Sequence, residues 1–332
     1  MLMSVNSKYA VTKETFDSIN AYWLDPQCHL NWDCLFVLPG WLKAWWDTFG
    51  SGRSPYLCSV RHKDELIGIA PFIIQGESAR FMGDADVCDY LDVIVGPGRG
   101  IEFFEVLGQH LRQQGISQLD LGAVRAESIV LSDLSAAAKQ LNYTIFCEAE
   151  DVSIELDLPS TWDAFLKGLT GKERHEIRRK LRRLSEAADI HFRVVESKTE
   201  VSEQIDTFFE LFKLNRSDKS DFMTDQRISF FRSLAAALAE ARILKLFFLD
   251  LDDRPAAAVM CFDYNSTVYL YNNGYDERYR SLSVGLLSKV FTIQNSIERG
   301  KTKYDFLKGT EAYKKRLGGK PVQLFRCQVE LR

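Results

Sequence analysis

The chain has 332 residues, 46% hydrophobic and 27% charged, with a net charge of −4. This profile excludes a disordered or collagenous chain and provides enough apolar surface for two domains or one large one. A mildly acidic protein has no bulk attraction for polyanions, so any such role must come from a local patch.

The seven cysteines (Cys28, Cys34, Cys58, Cys88, Cys147, Cys261 and Cys327) are dispersed, with no C-x-x-C. That predicts reduced thiols in a cytoplasmic protein, not a disulfide framework or zinc site. His29, His62, His110, His175 and His191 show no metal-ligand spacing, so no metal is expected. Met1 to Ala10 lacks an apolar signal-peptide core. The longest uncharged apolar stretch, Leu66 to Gly76, is too short to span a bilayer and contains Pro71. There is no G-x-S-x-G elbow and no Walker A sequence, which excludes serine hydrolases of that type and P-loop NTPases.

Along the chain, Trp41 to Phe49 reads as a helix with Trp41 and Trp45 in the core. Tyr56 to Val60 and Leu66 to Ile74 form a hairpin. A strand is expected over Tyr90 to Val95, then a helix over Ile101 to Gln114 with Ile101, Phe104, Leu107 and Leu111 on one face. Strands at Ile116 to Leu121 and Tyr143 to Glu148 flank a helix at Ser128 to Leu141. The second half opens with a strand at Val152 to Leu158 and a helix around Trp162. A basic helix follows, with Thr170 and Glu173 as a capping box. Next come a strand at Ile190 to Val195, helices at Ser202 to Leu214 and Asp225 to Glu240, and strands at Ile243 to Leu249, Ala256 to Asp263 and Val268 to Asn272. An amphipathic helix from Ser283, with Leu286, Val290, Ile293 and Ile297 buried, runs to Gly300. Strands around Tyr304 and over Val322 to Leu331 close the chain.

A faint repeat joins the halves. One helix ends at Gly115 before Leu119-Asp120-Leu121, and another ends at Gly300 before Tyr304-Asp305-Phe306, with the same Gly-to-Asp spacing. Duplication predicts two mixed α/β lobes, 1–150 and 151–332, with a ligand cleft between them.

Two segments carry chemistry. In Arg280-x-x-Ser283-x-Gly285, Ser283 caps the helix and Gly285 admits a phosphate close to the backbone, while Arg278 and Arg280 add charge-assisted bonds. The bland alternative is an ordinary capped helix. The run Lys172 to Arg183 has seven Lys or Arg against Glu173 and Glu176, a local charge of 7 − 2 = +5. It is either a solvated face or a polyanion site using Lys172, Arg178, Arg179 and Arg182.

Arg-x-x-Ser-x-Gly resembles the acetyl-CoA signature of the GNAT N-acetyltransferases, with Ser283 where glycine is preferred. Asp305-Phe306-Leu307-Lys308-Gly309-x-Glu311-x-Tyr313-Lys314 resembles a block of the CelD/BcsL group, which has a BioF2-like acetyltransferase domain. Asp89-Tyr90-x-Asp92 resembles that group's first-lobe segment. The resemblance spans roughly residues 40 to 330. It implies an α/β (α+β) architecture of tandem GNAT-like lobes, each a mixed, mostly antiparallel sheet flanked by helices, as in Fem-type aminoacyltransferases. It further implies an acyltransferase using acetyl-CoA or another acyl-CoA, bound by Arg278, Arg280, Ser283, Val284, Gly285 and Leu286. The acceptor would be an amino group of a sugar or an exopolysaccharide or cell-envelope precursor.

Direct transfer from a thioester needs a base, a carbonyl-polarising donor and an acid. Glu311 is the first candidate base, its pKa raised by desolvation, and Asp305 the second unless it only braces a turn. Tyr313 either protonates the thiolate or packs on the cofactor. Lys308 and Lys314 are candidates for an anionic substrate group, and Asp89 and Asp92 for substrate hydroxyls. Two rival readings are a Fem-like enzyme taking its acyl group from aminoacyl-tRNA, with an anionic lipid-linked substrate also admitted, and a non-catalytic binding or scaffold module. The oligomeric state is left open.

Overall fold

The computed structural model describes residues 8–214 and 222–332; the expectation for Met1 to Ala10 therefore lies, through residue 7, outside the described residues. In chain order the elements are β1 (Tyr9–Lys13), α1 (Phe16–Leu24), α2 (Pro39–Phe49), β2 (Ser54–His62), β3 (Glu65–Gln75), β4 (Ser78–Phe81), β5 (Ile94–Val95), α3 (Gly100–Gln113), β6 (Gln118–Arg125), α4 (Ile129–Gln140) and β7 (Thr144–Asp157). Then follow α5 (Trp162–Gly168), α6 (Gly171–Ala187), β8 (Ile190–Val195), α7 (Lys198–Leu214), α8 (Asp225–Glu240), β9 (Leu244–Leu251), β10 (Arg254–Tyr264), β11 (Thr267–Tyr275), a 3₁₀ turn (Glu277–Leu282), α9 (Val284–Glu298), β12 (Lys303–Lys308), α10 (Ala312–Arg316) and β13 (Lys320–Glu330). Among the described residues, no helix is long and apolar enough to cross a membrane.

The chain divides into two compact units. Unit one holds the described residues through Asp151 together with Gln323–Arg332, and unit two holds Val152–Val322. The last strand lies mostly in unit one, apart in sequence from the rest of that unit. Burial pattern could not reveal this, because an alternating strand pairs equally well with either sheet.

Both units are mixed, mostly antiparallel sheets flanked by helices, and both follow one plan. In unit one the β2–β3 hairpin leads to β4, α3 and β6, and β4 and β6 pair in parallel at Ser78↔Gln118, Ala79↔Leu119 and Arg80↔Asp120. In unit two the β9–β10 hairpin leads to β11, α9 and β12, and β11 and β12 pair in parallel at Thr267↔Lys303, Val268↔Tyr304 and Tyr269↔Asp305. The aspartate is the third pair in each ladder.

The helix ends match as well. Gly115 and Gly300 are left-handed (φ 80° and 70°), and the next residue's N–H reaches back to Leu111 O or Ser296 O. This is the Schellman stop that a positive-φ glycine permits. Thus the repeat read from Gly115 and Gly300 is an architectural one: the chain is a pair of mixed α/β lobes built on one plan.

The unit-two core follows the helical stripes. Leu287, Val290, Ile293 and Ile297 of α9 are buried with Val259, Cys261, Val268 and Leu270 of the sheet, and Ile177 and Leu184 anchor α6. The stripe runs through Leu287, whereas the half-buried Leu286 lines a surface cavity. In α3, Phe104, Leu107 and Leu111 are buried as expected, while Ile101 is exposed and Phe103 is buried in its stead. The segment from Tyr90 is strand only at Ile94–Val95.

One cysteine expectation is overturned. Cys147 and Cys327 form a disulfide within unit one, while Cys28, Cys34, Cys58, Cys88 and Cys261 are free thiols. The partners are 180 residues apart in sequence, so spacing gave no sign of a pairing created by neighbouring strands.

Candidate active site

β11 and β12 pair only over their first three residues; β11 then continues to Tyr275 and β12 to Lys308 without further pairing to each other. Beyond the end of β11, unit two has an open cavity of about 210 Å³ lined by Tyr275, Arg280, Ser283, Val284, Gly285, Leu286, Lys289 and Tyr313. Five residues expected at the donor site and one expected to be catalytic therefore meet there.

The helix start has an uncommon geometry. Ser283 is left-handed at φ 61° and makes no side-chain cap. Its carbonyl accepts the N–H groups of both Leu286 and Leu287, each at 3.0 Å. The N–H groups of Val284 and Gly285 have no acceptor among the described residues. Those two amides point positive partial charge out of the helix end, where an anion is favoured.

Ser283 is thus the cap by position only, a correction to the expected capping bond. Its hydroxyl instead accepts from Lys180 Nζ of α6 at 2.7 Å. The expected role of Gly285 is also revised. A Cβ at 285 would lie 2.6 Å from Tyr275 Cδ1, so glycine is required by the ring packed on it. Gly285→Ala is therefore expected to destabilise the protein by about 1–3 kcal/mol through overpacking, read as a lower Tm without ligand; an unchanged Tm would remove this account.

Arg278 is committed to Asp276, with Nε at 2.8 Å and Nη2 at 2.6 Å from Oδ2. It does not line the cavity, whereas Arg280 does, with Glu277 at 3.8 Å as a weak partner. Lys289 is only 5% exposed; its Nζ donates to Gly285 O at 2.6 Å and lies 5.0 Å from the Tyr313 ring centroid. Sequence reading missed it because position 289 falls between the apolar stripe positions and reads as an exposed lysine.

Burial holds the Tyr313 phenol well above its ordinary pKa, and the charge of Glu311 adds to this. The phenol stays protonated and can donate a proton or hydrogen bond. Glu311 is not the desolvated base expected: its side chain is 58% exposed and bonded to Lys314 at 2.9 Å. Partial burial works to raise its pKa, but the Lys314 bond, its own backbone N–H and the charges of Lys314 and Lys289 win, and the net direction is down.

Asp305 is fully buried, and its Oδ1 accepts from Leu307 N at 2.7 Å. It braces a bulge in which Leu307 is left-handed, so the turn-bracing alternative describes its contacts and the base assignment is withdrawn. Lys314 is buried and donates to Leu307 O and Gly309 O at 3.2 Å each, and to Lys308 O. It clamps this turn from within and presents no ammonium to a substrate. Lys308 contributes a carbonyl to that clamp and does not line the cavity.

On α6, Lys172, Arg178, Arg179 and Arg182 are exposed. Arg179 holds Glu176 bidentately at 2.8 Å, and Arg182 has Glu186 at 3.8 Å, so part of the expected charge is neutralised within the helix.

Asp89 and Asp92 belong to unit one. Asp92 lines a cavity of about 180 Å³ with Asn31, Asp33, Cys34, Arg125 and Ser128, and accepts from Ser128 Oγ and Val93 N at 2.8 Å. Asp89 is half-buried and absent from that lining. Burial pushes the Asp92 carboxyl up to about 7, with Glu127 and Asp33 adding to the rise. The folded state then holds a proton that the unfolded state has lost above its ordinary pKa near 3.9. Stability is expected to fall as pH rises from about 4 to 7 on this account. Asp92→Asn should remove that slope in urea titrations; an identical slope in the variant would refute the assignment.

Comparison with known proteins accords with this geometry. Residues 171–315, from the start of α6 into α10, match the family described as Acetyltransferase (GNAT) domain. The fold of the whole chain is similar to that of FemX (TM-score 0.63, 14% identity, 96% of each chain covered). It is also similar to a conserved protein of unknown function from Bacteroides thetaiotaomicron (TM-score 0.59, 13% identity, 96% of this chain and 99% of that one). A third likeness is to L-PGS from Bacillus licheniformis (TM-score 0.51, 11% identity, 88% and 90%). No curated protein matches the sequence.

Proposed function

We propose that the protein is an acyltransferase that binds a phosphate-bearing donor, an acyl-CoA, at the start of α9 and transfers its acyl group directly to an amine. The observation that carries this reading is the cavity in which the unpaired Val284 and Gly285 amides share a wall with Tyr313. Backbone amides at a helix start suit a pyrophosphate. The match of residues 171–315 to an acetyltransferase domain supports the same chemistry.

In this mechanism the acceptor nitrogen attacks the thioester carbonyl, the C–S bond breaks, and the Tyr313 phenol gives its proton to the departing sulfur. Glu311 acts through its charge, keeping that phenol protonated. No carboxylate lines the cavity, so the nitrogen's proton passes to solvent, and solvent returns a proton to the Tyr313 phenolate. A sugar or cell-envelope amine remains the acceptor class proposed from the resemblance, and a cytoplasmic setting supplies the donor.

A second reading has specific support. The likeness to FemX covers 96% of both chains, and the basic helix α6 touches the cavity's rim at Ser283. Together these favour a donor of higher charge, such as an aminoacyl-tRNA. Thermal shift separates the readings: acetyl-CoA at a hundredfold its Kd should stabilise the protein by about 2.7 kcal/mol. No shift with any CoA thioester, alongside salt-dependent tRNA retention, would replace the first reading with the second; neither response would leave a binding module.

A further inference from the structure

We infer that Lys180 is a ligand for the donor's phosphate, held ready by Ser283 until the donor arrives. The assignment deepens the donor reading and rests on it.

The sequence offers Lys180 as one cation among seven, and the +5 run gives no reason to single it out. The structure does. Its neighbours on the helix, Arg178, Arg179, Arg182 and Arg183, face solvent, whereas the Lys180 side chain is 20% exposed and turned onto the start of α9. Two acceptors meet its ammonium. One is the neutral Ser283 hydroxyl at 2.7 Å. The other is Glu176 Oε1 at 3.3 Å, and that carboxylate is already held bidentately by Arg179. An ammonium has three donors, so this one keeps capacity and much of its charge uncompensated.

It also sits beside the residue that precedes the unpaired Val284 and Gly285 amides. Lys180 does not itself line the cavity, but its ammonium is one hydrogen bond of 2.7 Å from the hydroxyl of Ser283, which does. Exchanging a neutral acceptor for a charged one strengthens the bond. The serine at 283 then has a purpose. Its hydroxyl holds the lysine in place while the site is empty.

The experiment is titration of the full-length protein with CoA and, separately, with inorganic pyrophosphate, followed by calorimetry. Wild type, Lys180→Gln, Lys180→Arg and Ser283→Gly are compared. Lys180→Gln should weaken both probes by roughly ten- to a hundredfold, the range for a bond to a charged group. Lys180→Arg should recover most of the loss. Ser283→Gly, which suits the positive φ, should weaken binding far less than Lys180→Gln, since the lysine remains and only its holding bond is lost.

A lysine that merely braced Ser283 would give a different pattern: Lys180→Gln and Ser283→Gly would weaken binding alike, which overturns the assignment. Undiminished binding by Lys180→Gln, with its melting curve unchanged, also overturns it alone. If wild type binds neither probe, this assignment and the donor reading fall together.

Discussion

Replacing Tyr313 by phenylalanine is expected to slow acyl transfer by roughly a hundredfold or more, the usual contribution of a positioned acid, while leaving donor affinity nearly unchanged. Phenylalanine keeps the ring against Lys289 and Phe306, so only the hydroxyl is lost. The pH dependence adds a second check. Burial and the Glu311 charge raise the phenol's pKa, so the wild-type rate should not decline through the ordinary tyrosine range near 10. Glu311→Gln removes a negative charge and should bring the alkaline limb to lower pH. Transfer rates would be taken with the best acceptor from an amine screen. Full activity in Tyr313→Phe would assign protonation of the leaving group to water.

The second large effect is on stability. Lys314→Met keeps the aliphatic stem but takes a buried ammonium from the carbonyls of Leu307, Lys308 and Gly309. Buried acceptors left without a donor each cost about 1–3 kcal/mol, and water at the turn's outer side recovers part of this. A net loss of about 2–4 kcal/mol is expected, read as a lower urea midpoint at unchanged m. A lysine that held substrate would behave otherwise, raising KM without moving the midpoint. That outcome would restore the role first expected from the sequence.

These two residues show how far the sequence was legible. The helices around Trp41, Ile177 and Ile293, the two hairpins and the Gly115 and Gly300 stops all follow from periodicity and local turn chemistry, which act over a few residues. Arg280, Ser283 and Gly285 line one cavity because they are close in sequence around one helix start.

What each side chain does there was not legible. Glu311 and Lys314 stand on one short helix, and nothing in their spacing says which is buried. The structure buries Lys314 at 3% exposure and leaves Glu311 outside, reversing the chemistry assigned to them. Asp305 follows the same logic: a carboxylate next to a bulge is spent on the backbone there. The Lys180–Ser283 contact joins positions 103 apart in sequence, and the Cys147–Cys327 bond spans 180. Such pairings belong to topology, and no local pattern encodes them.

Protection of the Val284 and Gly285 amides from hydrogen exchange, with and without saturating CoA, is the most direct test. A phosphate accepting both N–H groups should slow their exchange strongly, and pantetheine, which lacks the diphosphate, should leave it unchanged. Unaltered exchange at both amides in protein shown by calorimetry to be loaded with CoA would contradict the account, because the donor would then be held elsewhere.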